Sequence, residues 1–176
     1  LELCERKWVE FEKEQRLGTA PIVQIKYLHD IDGKRLNAAR EKRHGREKLL
    51  VLLVEDDPFT RRLVGNTLKG AYDVIEAPDG NTALQTYETH APDAVFLDIE
   101  LPDTNGHVIL EKLLAVDPSA FVVMLSANSV KENIMAALEK GAQGFATKPF
   151  AREKLIHYLR LCKTMRQGSK TGAAHA

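Results

Sequence analysis

From residue 49 onward, short apolar runs and helix-patterned stretches take turns five times. That alternation narrows the chain to a layered α/β fold. The runs are Leu49–Val54, Tyr72–Ala77, Ala94–Asp98, Ala120–Leu125 and Gly144–Thr147. The first is apolar without alternation, as expected of a strand buried on both faces. Pro58 then opens a first helix with Leu63, Val64, Thr67 and Leu68 inward, and Gly70 stops it. Asp79-Gly80-Asn81 opens a second helix, with Ala83, Leu84 and Tyr87 on one face. A third follows Gly106, with Val108, Ile109, Leu113 and Val116 inward. The fourth spans 130–140 and ends at Gly141. After Lys148-Pro149-Phe150 comes a last helix with the stripe Leu155, Ile156, Leu159 and Cys162. Strands alternating with helices pair in parallel through right-handed crossovers, with helices on both faces of the sheet. The expected division is an extension over 1–47, an α/β domain over 48–167 and a flexible tail over 168–176.

Composition agrees with a globular domain. The 176 residues are 44% hydrophobic and 28% charged. No apolar run reaches the roughly 20 residues needed to cross a bilayer, so no membrane partner is expected. The start is too charged for a secretory signal, and the two cysteines have no metal or disulfide spacing. A cytoplasmic location is the expectation. The formal net charge is zero, but residues 49–150 hold 15 acidic and 7 basic side chains, between basic ends. An acidic block argues against a nucleic-acid surface on this domain. It suits carboxylates gathered to hold a cation.

The first 47 residues have a different pattern. Residues 2–17 place Cys4, Trp8, Phe11 and Gln15 on one helical stripe, Ile22–Leu28 has strand character, and Asp32-Gly33 is a hairpin-turn signal. Residues 37–48 form a charged, helix-capable connector. The segment is too small for its own core. Its stripe needs a partner, either the α/β domain or a second copy of the chain in a homodimer. The extension is therefore expected to be an interaction or linker element that the α/β domain does not need in order to fold.

Ligands of an open parallel sheet bind beyond the carboxyl ends of its strands, where the strand order reverses. The residues at those ends are Glu55, Asp56 and Asp57 after the first strand, Asp98 closing the third, Ser126-Ala127-Asn128 after the fourth and Lys148-Pro149 after the fifth. Crowded carboxylates repel, and a hard divalent cation relieves them. Few carboxylates plus water suit Mg²⁺. Asp98 is a candidate nucleophile towards phosphorus. Lys148 and the metal are placed to offset charge on a transferring phosphoryl group, and Ser126 to donate to one of its oxygens.

In this order and at these strand ends, residues 49–166 resemble the receiver domain of bacterial response regulators, a flavodoxin-like doubly wound (βα)5 fold. The resemblance rests on Glu55-Asp56-Asp57, on Asp98-Ile99-Glu100-Leu101-Pro102-Asp103-Thr104-Asn105-Gly106, on Ser126-Ala127 and on Lys148-Pro149 with Phe145 three residues earlier. It implies that Asp98 is the phosphoacceptor and that the donor is a histidine kinase or phosphotransfer protein. It implies Mg²⁺ held by Asp56, Asp98 and the Glu100 backbone carbonyl, with Glu55 acting mainly through water. Lys148 would pair with the phosphoryl group. Ser126 and Phe145 would form the switch, and Glu100 and Asn128 would tune the phosphoryl lifetime. A downstream partner would bind the face made by the fourth helix, fifth strand and fifth helix. The domain would be a signalling switch and not a metabolic enzyme, catalysing only its own phosphorylation and dephosphorylation.

Asp57 directly precedes Pro58 and is expected to cap the first helix, so the acidic pair is Glu55-Asp56. A pair shifted to Asp56-Asp57 is the alternative register. Thr104 stands where the family usually has an apolar residue, which leaves loop packing there open. Two other functions also fit an aspartate at this edge: a phosphohydrolase with an aspartyl intermediate, and a receiver-like module that only binds a partner.

Overall fold

The structure is a computed structural model that describes residues 41, 43, 45–127 and 130–171, with side chains through 163. The helical stripe of Trp8 and Phe11, the strand at 22–28, the turn at 32–33 and the dimer expected of them lie outside the described residues, as does Asn128. The chain runs β1 (Leu50–Val54), α1 (Pro58–Leu68), β2 (Asp73–Ala77), α2 (Gly80–His90), β3 (Ala94–Asp98), α3 (Gly106–Val116), β4 (Val122–Ser126), α4 (Lys131–Glu139), β5 (Gly144–Thr147) and α5 (Arg152–Thr171). All strand pairings are parallel, and the order is β2-β1-β3-β4-β5. This is the parallel sheet expected from the alternation and the doubly wound flavodoxin-like fold that the resemblance implies.

The unbroken apolar character of β1 has a direct cause. Leu52 and Val54 enter one core layer with residues of α2, α3 and α4. Val51 and Leu53 enter the opposite layer, with Val64 and Leu68 of α1 and Leu155, Leu159 and Cys162 of α5. Both pleat faces are dry, so polar residues gain nothing there.

Two helix phases differ from the expectation. Leu63 is 57% exposed, and α1 buries Val64, Gly65 and Leu68. Val108 is 39% exposed, and α3 buries Ile109, Leu110 and Leu113. In a run such as Val108-Ile109-Leu110 every phase offers apolar residues, so the sheet selects the stripe. β4 starts at Val122, after a turn that Asp117 ties through Ser119 N at 3.1 Å and Ser119 Oγ at 2.6 Å, and it includes Ser126, which pairs with Thr147 of β5. The last helix continues to Thr171, past the boundary expected at 167.

The connector also does more than lead into β1. Glu41 and Arg43 are helical, and Arg43 and Arg46 pack onto the α/β domain by salt bridges to Asp117 and Asp93. Such a contact depends on two buried carboxylates far along the chain, which periodicity does not expose.

Candidate functional site

The strand order reverses between β1 and β3. Their crossovers leave in opposite directions, and a crevice opens beyond both strand tips. Glu55 follows β1 and is fully buried, while Asp56 is exposed. Asp57 is the N-cap of α1. Its carboxylate accepts hydrogen bonds from Thr60 N at 2.7 Å and Thr60 Oγ1 at 2.6 Å, which hold its pKa below the usual carboxylate range. The cap and Pro58 at the helix start turn the third acid away from the crevice and leave Glu55 and Asp56 facing it.

Asp98 closes β3 and is 2% exposed. One of its oxygens accepts from Glu100 N at 3.2 Å, and the other is hydrogen-bonded to Lys148 Nζ. Lys148 also reaches Glu55, with Nζ 2.9 Å from Oε1 and 2.7 Å from Oε2. Carboxylate oxygens of Glu55, Asp56 and Asp98 all lie within 4.8 Å of one another. Burial, and then the charge of Asp98, push the Glu55 carboxyl above its ordinary pKa, against the pull of Lys148. Burial alone would lower Lys148, but its hydrogen bonds to Asp98 and Glu55 outweigh that and raise it.

The donor set fits a hard divalent cation. Three carboxylates converge around a single ammonium, so a second cation is needed to balance their charge. Glu55, Asp56 and Asp98 are the side chains able to hold Mg²⁺. Asp56→Ala removes a carboxylate of this cluster and is expected to weaken Mg²⁺ binding about tenfold, about 1.4 kcal/mol. Asp57→Ala is expected to lower the unfolding midpoint while leaving Mg²⁺ affinity near wild type. Calorimetric titration and thermal unfolding of both variants check this, and reversed behaviour means the acidic pair is Asp56-Asp57.

The remaining sequence candidates sit around this cluster. Ser126 ends β4 and is 2% exposed, and its carbonyl accepts from Lys148 N at 2.8 Å. Phe145 is 6% exposed and joins the layer formed with α2, α3 and α4. Glu100 is exposed and pairs with Asn105 across the β3–α3 loop. Thr104 is half-buried, with its methyl set against Gly80, so a methyl fills the apolar role in that loop.

Four supporting residues escaped the sequence reading. Arg61 donates to the carbonyls of Glu55 at 2.6 Å and Asp56 at 3.1 Å and pairs with Glu76 at 3.2 Å, pinning the acidic loop to β2. The Asp103 carboxylate accepts from Gly80 N at 2.9 Å and Asn81 N at 3.0 Å, which ties the loop after Asp98 to the start of α2. A Cβ on Gly106 would collide with the carbonyl of Asp98, so only glycine lets α3 start against the tip of β3. The Tyr158 hydroxyl accepts from Phe145 N at 3.2 Å and donates to Phe145 O at 3.0 Å, holding β5 from α5. Asp103 and Gly106 left a trace in the sequence as members of the run that follows Asp98, without a role assigned to either.

Fold and site together define a doubly wound α/β domain with a buried acid–lysine cluster at its switch point. The family model for the response regulator receiver domain matches residues 51–160, and the chain belongs to that family. It is 36% identical over 113 residues to the chemotaxis protein CheY of Listeria monocytogenes, covering 63% of this chain and 95% of that one. It is 31% identical over 151 residues to the transcriptional regulatory protein TrcR of Mycobacterium tuberculosis, covering 85% of this chain and 54% of the other. Among solved structures, the receiver domain of a LuxO repressor protein from Vibrio parahaemolyticus superposes with a TM-score of 0.67 at 26% identity, covering 73% and 99% of the two chains. CheY from a CheX–CheY–BeF3–Mg²⁺ complex of Borrelia burgdorferi gives 0.60 at 31% identity, covering 63% and 86%. The chain is thus a receiver module of two-component signalling. Among the described residues no helix is long and apolar enough to cross a membrane.

Proposed function

We propose that this receiver is a phosphorylation-dependent switch that takes a phosphoryl group onto Asp98 from a phosphohistidine of a histidine kinase or phosphotransfer protein. The observation that carries the reading is the salt bridge from Lys148 to both Asp98 and Glu55 in a buried crevice. A carboxylate so held is preorganised and poorly hydrated, as a nucleophile towards phosphorus needs to be. An Asp98 oxygen forms the new P–O bond while the P–N bond to the donor imidazole breaks, and the leaving ring nitrogen takes up a proton. Lys148 then exchanges part of its contact with Asp98 for an oxygen of the phosphoryl group. Asp56, Asp98 and the Glu100 backbone carbonyl, with Glu55 acting through water, would hold Mg²⁺, which would supply charge neutralisation. The solved CheX–CheY complex with BeF3 and Mg²⁺ supports this assignment of a metal-dependent acceptor site.

In this reading Ser126 donates to the phosphoryl group, and Phe145 on the next strand repacks with it. Glu100 and Asn128 set the lifetime of the acyl phosphate. The partner surface is α4-β5-α5, where Met135 is 45%, Leu138 44% and Leu161 41% exposed. The protein works in the cytoplasm as a switch, with no turnover of free substrates beyond its own phosphoryl group.

The test is incubation of the full chain with Mg²⁺ and acetyl phosphate, followed by intact mass. One hydroxylamine-labile phosphoryl group per chain, formed only with Mg²⁺, is the expected result. No labelling with a small donor or a phosphotransfer protein identifies a module that only binds partners. Sustained hydrolysis of phosphomonoesters identifies a phosphohydrolase.

A further inference from the structure

We propose that the base of the receiver is a built docking site for the chain's own upstream segment, with Arg43 and Arg46 as its two anchors. The stretch from Arg43 to β1 is then a fixed joint and not a free linker. The base is the edge at the amino-terminal ends of the strands, opposite Asp98.

Asp117, just after α3, is completely buried. Its Oδ1 accepts from Ser119 N and Oγ, and its Oδ2 accepts from Tyr87 Oη at 2.8 Å and from Nη1 and Nη2 of Arg43, both at 3.3 Å. The Arg43 side chain is 8% exposed. Its Nε donates to Ala91 O at 3.0 Å, its Nη2 to Tyr87 Oη at 3.3 Å, and its guanidinium lies 6.0 Å from the Tyr87 ring centre.

Three residues on, Arg46 repeats the arrangement. Its Nη1 donates to Ala91 O at 2.9 Å and to Asp93 Oδ2 at 3.2 Å, and its Nη2 donates to His90 O. Asp93 is 1% exposed, and the same oxygen receives Leu50 N at 2.7 Å. Ala91 closes α2 in the left-handed conformation, with φ 43°, and both arginines converge on its carbonyl.

The site is incomplete without the arginines. Asp117 and Asp93 are charges withdrawn from water, and removing one cation that faces such a buried carboxylate is strongly destabilising. The anchors also bring together the end of α2, the lead into β3 and the turn before β4. The two anchors lie at the edge opposite Asp98, so they leave its crevice open to a phosphodonor. Among the described residues, the packing of the receiver thus includes Arg43 and Arg46, ahead of residue 48.

The test is a double-mutant cycle on the full chain with Arg43→Met, Asp117→Asn and both, read by thermal unfolding, together with timed trypsin cleavage after Arg43 and Arg46. Arg43→Met is expected to lower the midpoint by about 10 °C, and by less than half as much in the Asp117→Asn background. Cleavage at Arg46 is expected to be about tenfold faster in both single variants than in wild type. A midpoint within about 2 °C of wild type, or equal shifts in the two backgrounds, overturns the joint. Should Arg43→Met fail to fold, cleavage of wild type against Asp117→Asn at both bonds decides. Equal rates overturn the joint, and slower cleavage of wild type supports it.

Discussion

Asp98→Asn abolishes Mg²⁺-dependent labelling: after incubation with acetyl phosphate the variant keeps the mass of the unmodified chain, while wild type gains one phosphoryl group. The amide has no anionic oxygen to attack phosphorus, and nothing nearby substitutes for it. Glu55 is buried against Lys148, and Asp56 is exposed at the rim on the metal side of the cluster. The substitution nearly preserves shape. It also removes one of two buried negative charges around a single ammonium, so the fold is expected to persist. Urea unfolding of the variant separates loss of chemistry from loss of structure. Labelling at the wild-type level in a folded variant means that another carboxylate is the acceptor.

Lys148→Met is the second large effect, and it reads out on stability as well as chemistry. The ammonium is the shared partner of Glu55 and Asp98, whose side chains are 0% and 3% exposed. Without it two buried carboxylates face each other uncompensated, at a cost of about 3–5 kcal/mol at neutral pH in the absence of metal. The pH dependence follows from the Glu55 carboxyl, already raised by burial and then freed of the lowering influence of Lys148. A carboxyl whose folded pKa lies above its unfolded value of about 4.3 favours the folded state below that value and loses this contribution as pH rises through the folded pKa. The defect is therefore smallest near pH 4 to 5, about the unfolded pKa, and grows towards neutrality. Mg²⁺ is expected to restore part of the lost stability, because it neutralises the same carboxylates. Urea midpoints at acidic and neutral pH, with and without Mg²⁺, check all of this. A pH-independent loss would show that Lys148 acts by packing alone.

Much of this protein was legible in one dimension. The unbroken apolar run of β1 announced a strand buried on both faces, and the five-fold alternation announced a parallel doubly wound sheet, because period and burial are local properties. The acidic pair after β1, Asp98 at the tip of β3 and Lys148 after β5 could be placed at one edge because chain direction in a parallel sheet puts every carboxyl end on the same side. Even the division of labour among the three consecutive acids followed from Pro58, which commits Asp57 to the helix cap.

Tertiary structure alone decided the rest. The stripes of α1 and α3 were displaced because contiguous apolar residues leave the helix phase open until a sheet selects one. Arg61 pins the acidic loop through carbonyl oxygens, and Tyr158 holds β5 through a hydroxyl, and neither contact has a sequence period. The clearest case is Arg43. In the sequence it is one basic residue among many in a charged connector. Its meaning comes from Asp117, 74 positions away, which the fold buries and which therefore requires a cation. A sequence determines which residues avoid water and in what rhythm. Which polar groups lose their water, and so must find each other, depends on how the layers close.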